Sequence, residues 1–219
     1  KQKNIVKNIL TNKANKLNIP IKFFKNPPTL FSDIPKYLPG EHQIKNAQLS
    51  KQVITVLDKK KVITINKQTI KKSIKNTQWA GRFQTIHKNP TIIYDVAHNQ
   101  DSIEAFVVTI KTYIKKLNKQ ILICGFEENK KIQQNIIKLL PIFDKIICTE
   151  TGIRRSMPAI KIKKTFKSKN KIILIHKAKN AIIYAAKITT QNDLIVVLGS
   201  HFFAPTLKTI YKNCFAKHK

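Results

Sequence analysis

From residue 91 to residue 212, short apolar runs rich in β-branched residues alternate with stretches of helical spacing, and no other feature constrains the chain as much. The spacing predicts strands at 91–94, 120–124, 145–148, 171–175 and 193–198. Helices are expected at 101–117, 130–140, 158–166, 178–189 and 205–212. Runs such as Ile121-Leu122-Ile123-Cys124 and Leu194-Ile195-Val196-Val197 are apolar throughout, so both faces of these strands must be covered. Strand and helix taking turns in this way specify an α/β fold, a mostly parallel sheet with helices on both faces. A strand at 83–86 and the turn Lys88-Asn89-Pro90 add a hairpin in front of it.

Residues 1–77 do not continue this alternation and read as part of a separate domain, with 78–219 forming the α/β domain. A helix is expected at 5–17 and a short strand at 21–24, followed by turns set by Pro27, Pro28, Pro35 and Pro39. An amphipathic helix at 43–57 turns Ile44, Ala47, Val53, Ile54 and Leu57 toward a core. Another, at 63–74, has Asn66 as its cap, and 75–78 is the junction.

Ligand groups in open α/β sheets sit beyond the carboxyl ends of the strands. Here the strand Ile92-Ile93-Tyr94 runs into Asp95-Val96-Ala97-His98-Asn99, so an acid and an imidazole can reach one ligand while the strand stays packed. The same residues also suit a plainer role, with Asp95 and Asn99 capping the next helix.

Trp79-Ala80-Gly81-Arg82-Phe83-Gln84, followed after a hairpin by Tyr94-Asp95-Val96-Ala97-His98-Asn99, resembles the start of the C-terminal domain of the folylpolyglutamate synthase/dihydrofolate synthase branch of the Mur ligase superfamily. Gly40-Glu41-His42-Gln43-Ile44-Lys45-Asn46-Ala47 resembles the segment that ends the family's central ATP-binding domain. Ile123-Cys124-Gly125-Phe126 and Leu198-Gly199-Ser200-His201 resemble its later strand ends, in the same order. The resemblance implies a Rossmann-like Mur ligase C-terminal domain preceded by the tail of the central domain. It also implies an ATP-dependent ligase that adds L-glutamate to dihydropteroate or to reduced folates through an acyl phosphate, with ATP and Mg2+ as cofactors. By the same resemblance Asn46, Arg82 and Asp95 contact ATP, while His98 and Ser200 serve the chemistry. Arg82 stands out because lysine otherwise supplies almost all the positive charge, and a guanidinium fork suits phosphate oxygens. Arg154 or Arg155 corresponds to a further family arginine.

One departure concerns the turn after Gly125. The family carries Asp-Lys-Asp there, and this chain has Asn129-Lys130-Lys131. A metal or glutamate-amine role for those acids therefore does not carry over, and no metal ligand is assigned. Neither a G-x-x-x-x-G-K-[ST] phosphate loop nor a G-x-G-x-x-G turn is present, so the phosphate-loop domain is expected upstream of this chain. Met157 is the sole methionine, and Lys1 is not a translation start.

A net charge of +31 raises the question of polyanion binding. The lysines are scattered, and arginine occurs only at Arg82, Arg154 and Arg155, which argues against a specific nucleic-acid partner. No run approaches the roughly 18 apolar residues of a membrane span. Cys124, Cys148 and Cys214 read as reduced core thiols, in keeping with the cytoplasm. A monomer is expected. Two other readings stay open: another Mur-type amino-acid ligase, and a non-catalytic Rossmann-like module acting through its basic surface.

Overall fold

In the computed structural model, which describes residues 4–24, 34–114, 118–129, 132–153, 155–166 and 170–215, the apolar runs become six strands of one sheet. These are β1 (Gln84–Lys88), β2 (Thr91–Asp95), β3 (Gln120–Cys124), β4 (Lys145–Glu150), β5 (Ile172–Lys177) and β6 (Leu194–Leu198). Their spatial order is β1-β2-β6-β3-β4-β5. Only β1 runs antiparallel to its neighbour; the β2–β6, β6–β3, β3–β4 and β4–β5 pairs are all parallel.

The side chains of successive strand residues point to opposite faces, and each face is closed by its own helices. Ile93, Leu122, Ile146 and Val196 pack with Phe106 and Ile110 of α4 (Gln100–Tyr113), Ile136 of α5 (Gln133–Ile136) and Ile162 of α6 (Ala159–Thr165). Ile92, Ile123, Ile147 and Val197 pack with Ala181, Ile182 and Ala185 of α7 (Ala178–Lys187) and with Phe203 and Leu207 of α8 (Phe203–Ile210). Every residue of β6 is buried, because it lies between β2 and β3 with helices above and below. Burying one such Val, Leu or Ile side chain is worth about 1.5–3 kcal/mol, so the centre of the sheet is the anchor of this unit.

The α/β architecture expected for 78–219 is present, with local differences. The expected strand 83–86 begins at Gln84, because Phe83 has a left-handed backbone, φ +47°, that no strand accepts. The helix expected at 130–140 contracts to α5 and a 3₁₀ turn over Ile137–Leu139, while Lys130 and Lys131 lie outside the described residues. At the other end of the sheet from the candidate site, the buried Asp193 carboxylate accepts from the amides of Lys119 and Thr190 at 3.1 and 2.7 Å and from the Thr190 hydroxyl at 3.0 Å. Desolvation pushes this carboxyl up, but those donors and the Lys119 ammonium outweigh it and hold it below the usual range.

The chain divides into two compact units, one of residues 1–34 and 43–75, the other of 35–42 and 76–219. In the first, α3 (Lys67–Asn76) buries Ile70 and Ile74 against Ala47 of α2 (Glu41–Lys59), with Ile54 and Ile65 alongside. Asn66 caps α3 as expected, accepting from the Thr69 amide at 2.7 Å. Val53, expected in that core, is 49% exposed. The strand expected at 21–24 does not form: these residues carry no regular structure, and among the described residues none pairs with them. The α1 helix (Asn4–Lys16) forms but buries none of its residues, so its apolar stripe of Ile5, Ile9 and Leu10 is open. Pro27 and Pro28 lie outside the described residues.

Candidate functional site at the carboxyl edge of the sheet

Parallel strands end together, and here Asp95, Leu198 and Cys124 are register partners across β2, β6 and β3. The helices after β2 and β3 cover one face, and α8 after β6 covers the other, so the chain leaves adjacent strand ends in opposite directions. That divergence opens the crevice in which open α/β sheets bind ligands. Gly199 lies at its centre. With φ +118°, it gives its amide to the Asp95 carbonyl at 3.1 Å, and a Cβ there would come 2.3 Å from the Gly125 carbonyl oxygen. Only glycine lets the ends of β6 and β3 come this close.

Asp95 and Arg82 come together at this edge. Both oxygens of the Asp95 carboxylate accept backbone amides, Oδ1 from Ala97 at 2.7 Å and Oδ2 from Phe83 at 2.8 Å. Asp95 therefore does not cap α4. That role belongs to Asn99, whose side chain accepts from the Ser102 amide while Ser102 Oγ accepts the Asn99 amide. Burial pushes the Asp95 carboxyl up to about 6, opposed by the Ala97 and Phe83 amides and by the nearby Arg82 charge. Arg82 itself is exposed, the one outward-pointing residue of a tight turn between buried Gly81 and buried Phe83.

His98 Nδ1 lies 2.8 Å from the Val96 carbonyl. A carbonyl can only accept, so Nδ1 carries the proton and Nε2 is the atom left for a ligand. Asp95 is ordered by the Ala97 and Phe83 amides. Ser200 is 1% exposed; its carbonyl accepts the Tyr94 hydroxyl at 3.0 Å and its Oγ accepts the Phe202 amide at 3.3 Å. Its hydroxyl thus shapes the turn at the end of β6. Burial, with the neighbouring Asp95 charge, keeps the Tyr94 phenol protonated well above the usual range. Asn46 lies on α2 in the first unit, where its amide donates to Gln43 Oε1 at 3.2 Å. Of the two arginines after β4, Arg154 lies outside the described residues and the Arg155 carbonyl accepts the Glu128 amide at 3.0 Å.

The profile of the family described as "Mur ligase, glutamate ligase domain" matches residues 81–201, which is more than half of the chain and includes Arg82, Asp95, His98 and Ser200. The chain belongs to this family. A dihydrofolate synthase/folylpolyglutamate synthase of Buchnera aphidicola subsp. Baizongia pistaciae is 31% identical over 141 residues, covering 63% of this chain and 32% of that protein. The protein of the same name from Bacillus subtilis is 29% identical over 117 residues, covering 53% and 27%. A UDP-N-acetylmuramoyl-L-alanyl-D-glutamate--2,6-diaminopimelate ligase of Halalkalibacterium halodurans is 28% identical over 138 residues, covering 60% and 28%. The chain thus spans about a third of the length of the curated relatives it matches. Among solved structures, a bifunctional folylpolyglutamate synthase/dihydrofolate synthase of Yersinia pestis CO92 superposes with a TM-score of 0.73 at 19% identity, over 92% of this chain and 50% of that one. An E. coli FolC in complex with ADP gives 0.70 at 20% identity, over 82% and 41%. These superpositions establish the fold of this Mur ligase domain.

Sequence reasoning missed Gln84 and the Tyr94 hydroxyl. Each bonds a backbone group more than 100 residues away, Gln84 Nε2 to the Cys214 carbonyl at 3.4 Å and Tyr94 to that of Ser200. No local spacing signals such contacts.

Proposed function

We propose that this Mur ligase domain works in an ATP-dependent amide ligase that adds L-glutamate to dihydropteroate or to reduced folates. The observation that carries the reading is an exposed arginine, Arg82, in a tight turn beside Asp95 at the carboxyl edge of the sheet. The relatives named dihydrofolate synthase/folylpolyglutamate synthase support it, as does the sequence Asp95-x-Ala97-His98-Asn99, since Mur enzymes carry Asp-Tyr-Ala-His there.

In this reading ATP phosphorylates the carboxylate of the pterin substrate, and the amine of glutamate displaces phosphate from the acyl phosphate. Arg82 binds the phosphate oxygens and offsets charge that builds up as the phosphoryl group moves. Asp95, whose oxygens each keep a lone pair beyond the backbone amides, accepts from the ribose hydroxyls. His98 Nε2 faces the ligand, and Ser200 holds the Gly199 turn open for it. The described residues contain no group of three or more His, Cys, Asp or Glu side chains suited to a metal. No described helix is long and apolar enough to cross a membrane.

Arg82→Ala tests the reading. In the ligase that contains this chain, losing a charged hydrogen bond worth about 1.5–3 kcal/mol should raise the KM for ATP by roughly ten- to a hundredfold. ATP turnover equal to wild type would remove Arg82 from the site. Assays with dihydropteroate and with UDP-muramoyl peptides separate the folate reading from that of a Mur-type ligase.

A further inference from the structure

We infer that Gln84 is a positioning residue, closing the turn that aims Arg82 at an anionic phosphate ligand; the inference deepens the ligase reading and rests on it. Arg82 is flanked by two left-handed residues, Gly81 at φ +71° and Phe83 at φ +47°. Such a turn has many competing conformations, and a non-glycine residue holds a positive φ only where its surroundings impose it.

Three bonds impose it here. Gln84 Oε1 accepts the Gly81 amide at 3.0 Å, closing the turn across Arg82. The Gly81 carbonyl accepts the Val96 amide at 2.9 Å, and the Phe83 amide reaches Asp95 Oδ2. The Phe83 ring, 6% exposed, is wedged against Phe106 and Tyr113 at 5.7 and 5.5 Å between centroids. Downstream of Arg82 the turn is thus pinned by an amide and a buried ring. On its upstream side, the Gly81 amide donates to Gln84 Oε1, and glycine has no Cβ to limit its rotation. Without Oε1 the turn loses one of its three bonds, on the side where glycine has no Cβ to limit rotation, and Arg82 is held less firmly beside Asp95. The second amide atom, Nε2, tethers the carboxamide to the Cys214 carbonyl and keeps Oε1 facing Gly81.

The test is a double-mutant cycle in the ligase that contains this chain, with KM for ATP and kcat measured for Arg82→Ala, Gln84→Met and the pair. Methionine keeps the length of glutamine and removes both polar atoms. Gln84→Met should raise the KM for ATP about tenfold, the scale of one lost hydrogen bond, with kcat moving less. In the Arg82→Ala background it should add nothing, because its effect passes through Arg82. Gln84→Glu, which keeps an acceptor for the Gly81 amide, should restore most of the affinity. Equal losses in both backgrounds, or a wild-type KM in Gln84→Met, overturn the inference while leaving the ligase reading intact. An Arg82→Ala enzyme with wild-type KM and kcat takes Arg82 out of the site and this inference with it, whereas a wild-type enzyme that turns over ATP with neither dihydropteroate nor reduced folates refutes the ligase reading itself. Gln84→Leu runs through the same cycle, and the result is taken from the variant that keeps the wild-type unfolding midpoint.

Discussion

Replacing Asp95 by asparagine sets two opposing effects against each other, and pH separates them. Asparagine offers one oxygen where the carboxylate offers two, so either the Ala97 or the Phe83 amide meets an NH2 group. An unsatisfied buried amide costs about 1–3 kcal/mol. In the other direction, the wild-type carboxyl sits at about 6 against 3.8 in the open chain, so its ionised form weakens the fold by up to about 3 kcal/mol at neutral pH. The variant is free of that penalty, and near neutrality the two effects should cancel to within about 1–2 kcal/mol. Between the two pKa values the folded state binds more protons than the unfolded state, so this group makes stability fall as pH rises. Lowering the pH from about 7.5 to about 4.5 should therefore stabilise wild type relative to Asp95→Asn by about 2 kcal/mol. Urea unfolding of both proteins at the two pH values, followed by circular dichroism, gives the difference directly. Other carboxylates titrate alike in both chains and drop out of it. A gap that does not change with pH, or one that widens at high pH, would show that the Arg82 charge and the amides outweigh burial, and the electrostatic account of Asp95 would fall.

Asp193→Ala removes three hydrogen bonds at the far edge of the sheet, and a loss of about 2–4 kcal/mol is expected in the same urea assay. Because this carboxyl is held below its usual range, its contribution is present at neutral pH and disappears as pH falls through the acid range, the reverse of Asp95. Gly199→Ala places a Cβ 2.3 Å from the Gly125 carbonyl at φ +118°. A loss of more than about 4 kcal/mol is expected, seen as insoluble expression or a collapsed thermal midpoint; a variant as stable as wild type would contradict the close approach of β6 and β3. Asn99→Ala should cost only about 1 kcal/mol, the worth of a helix cap, with the amide exchange of the first turn of α4 speeding up.

Much of the fold was legible because its signals are local. Continuous Ile and Val runs can be satisfied only in a sheet covered on both faces, and their alternation with helical spacing gave the order of strands and helices along the chain. Local spacing also located Asp95, His98 and Ser200 near strand ends, and the scarcity of arginine singled out Arg82. Where pairing partners decide, the same signals failed. The run at 21–24 has strand-like residues but forms no strand among the described residues, and Phe83 has a strand-like neighbourhood but a backbone turned by the bond to Asp95. The sequence by itself determined the fold class, because burial of apolar periodicity is a property of short segments. Only the tertiary structure decided that β6 inserts between β2 and β3, that Asp95 holds backbone amides rather than a helix end, and that Gln84 closes the turn around Arg82. Those outcomes depend on groups from distant parts of the chain meeting at one edge of the sheet, and no short-range pattern encodes which of them will meet.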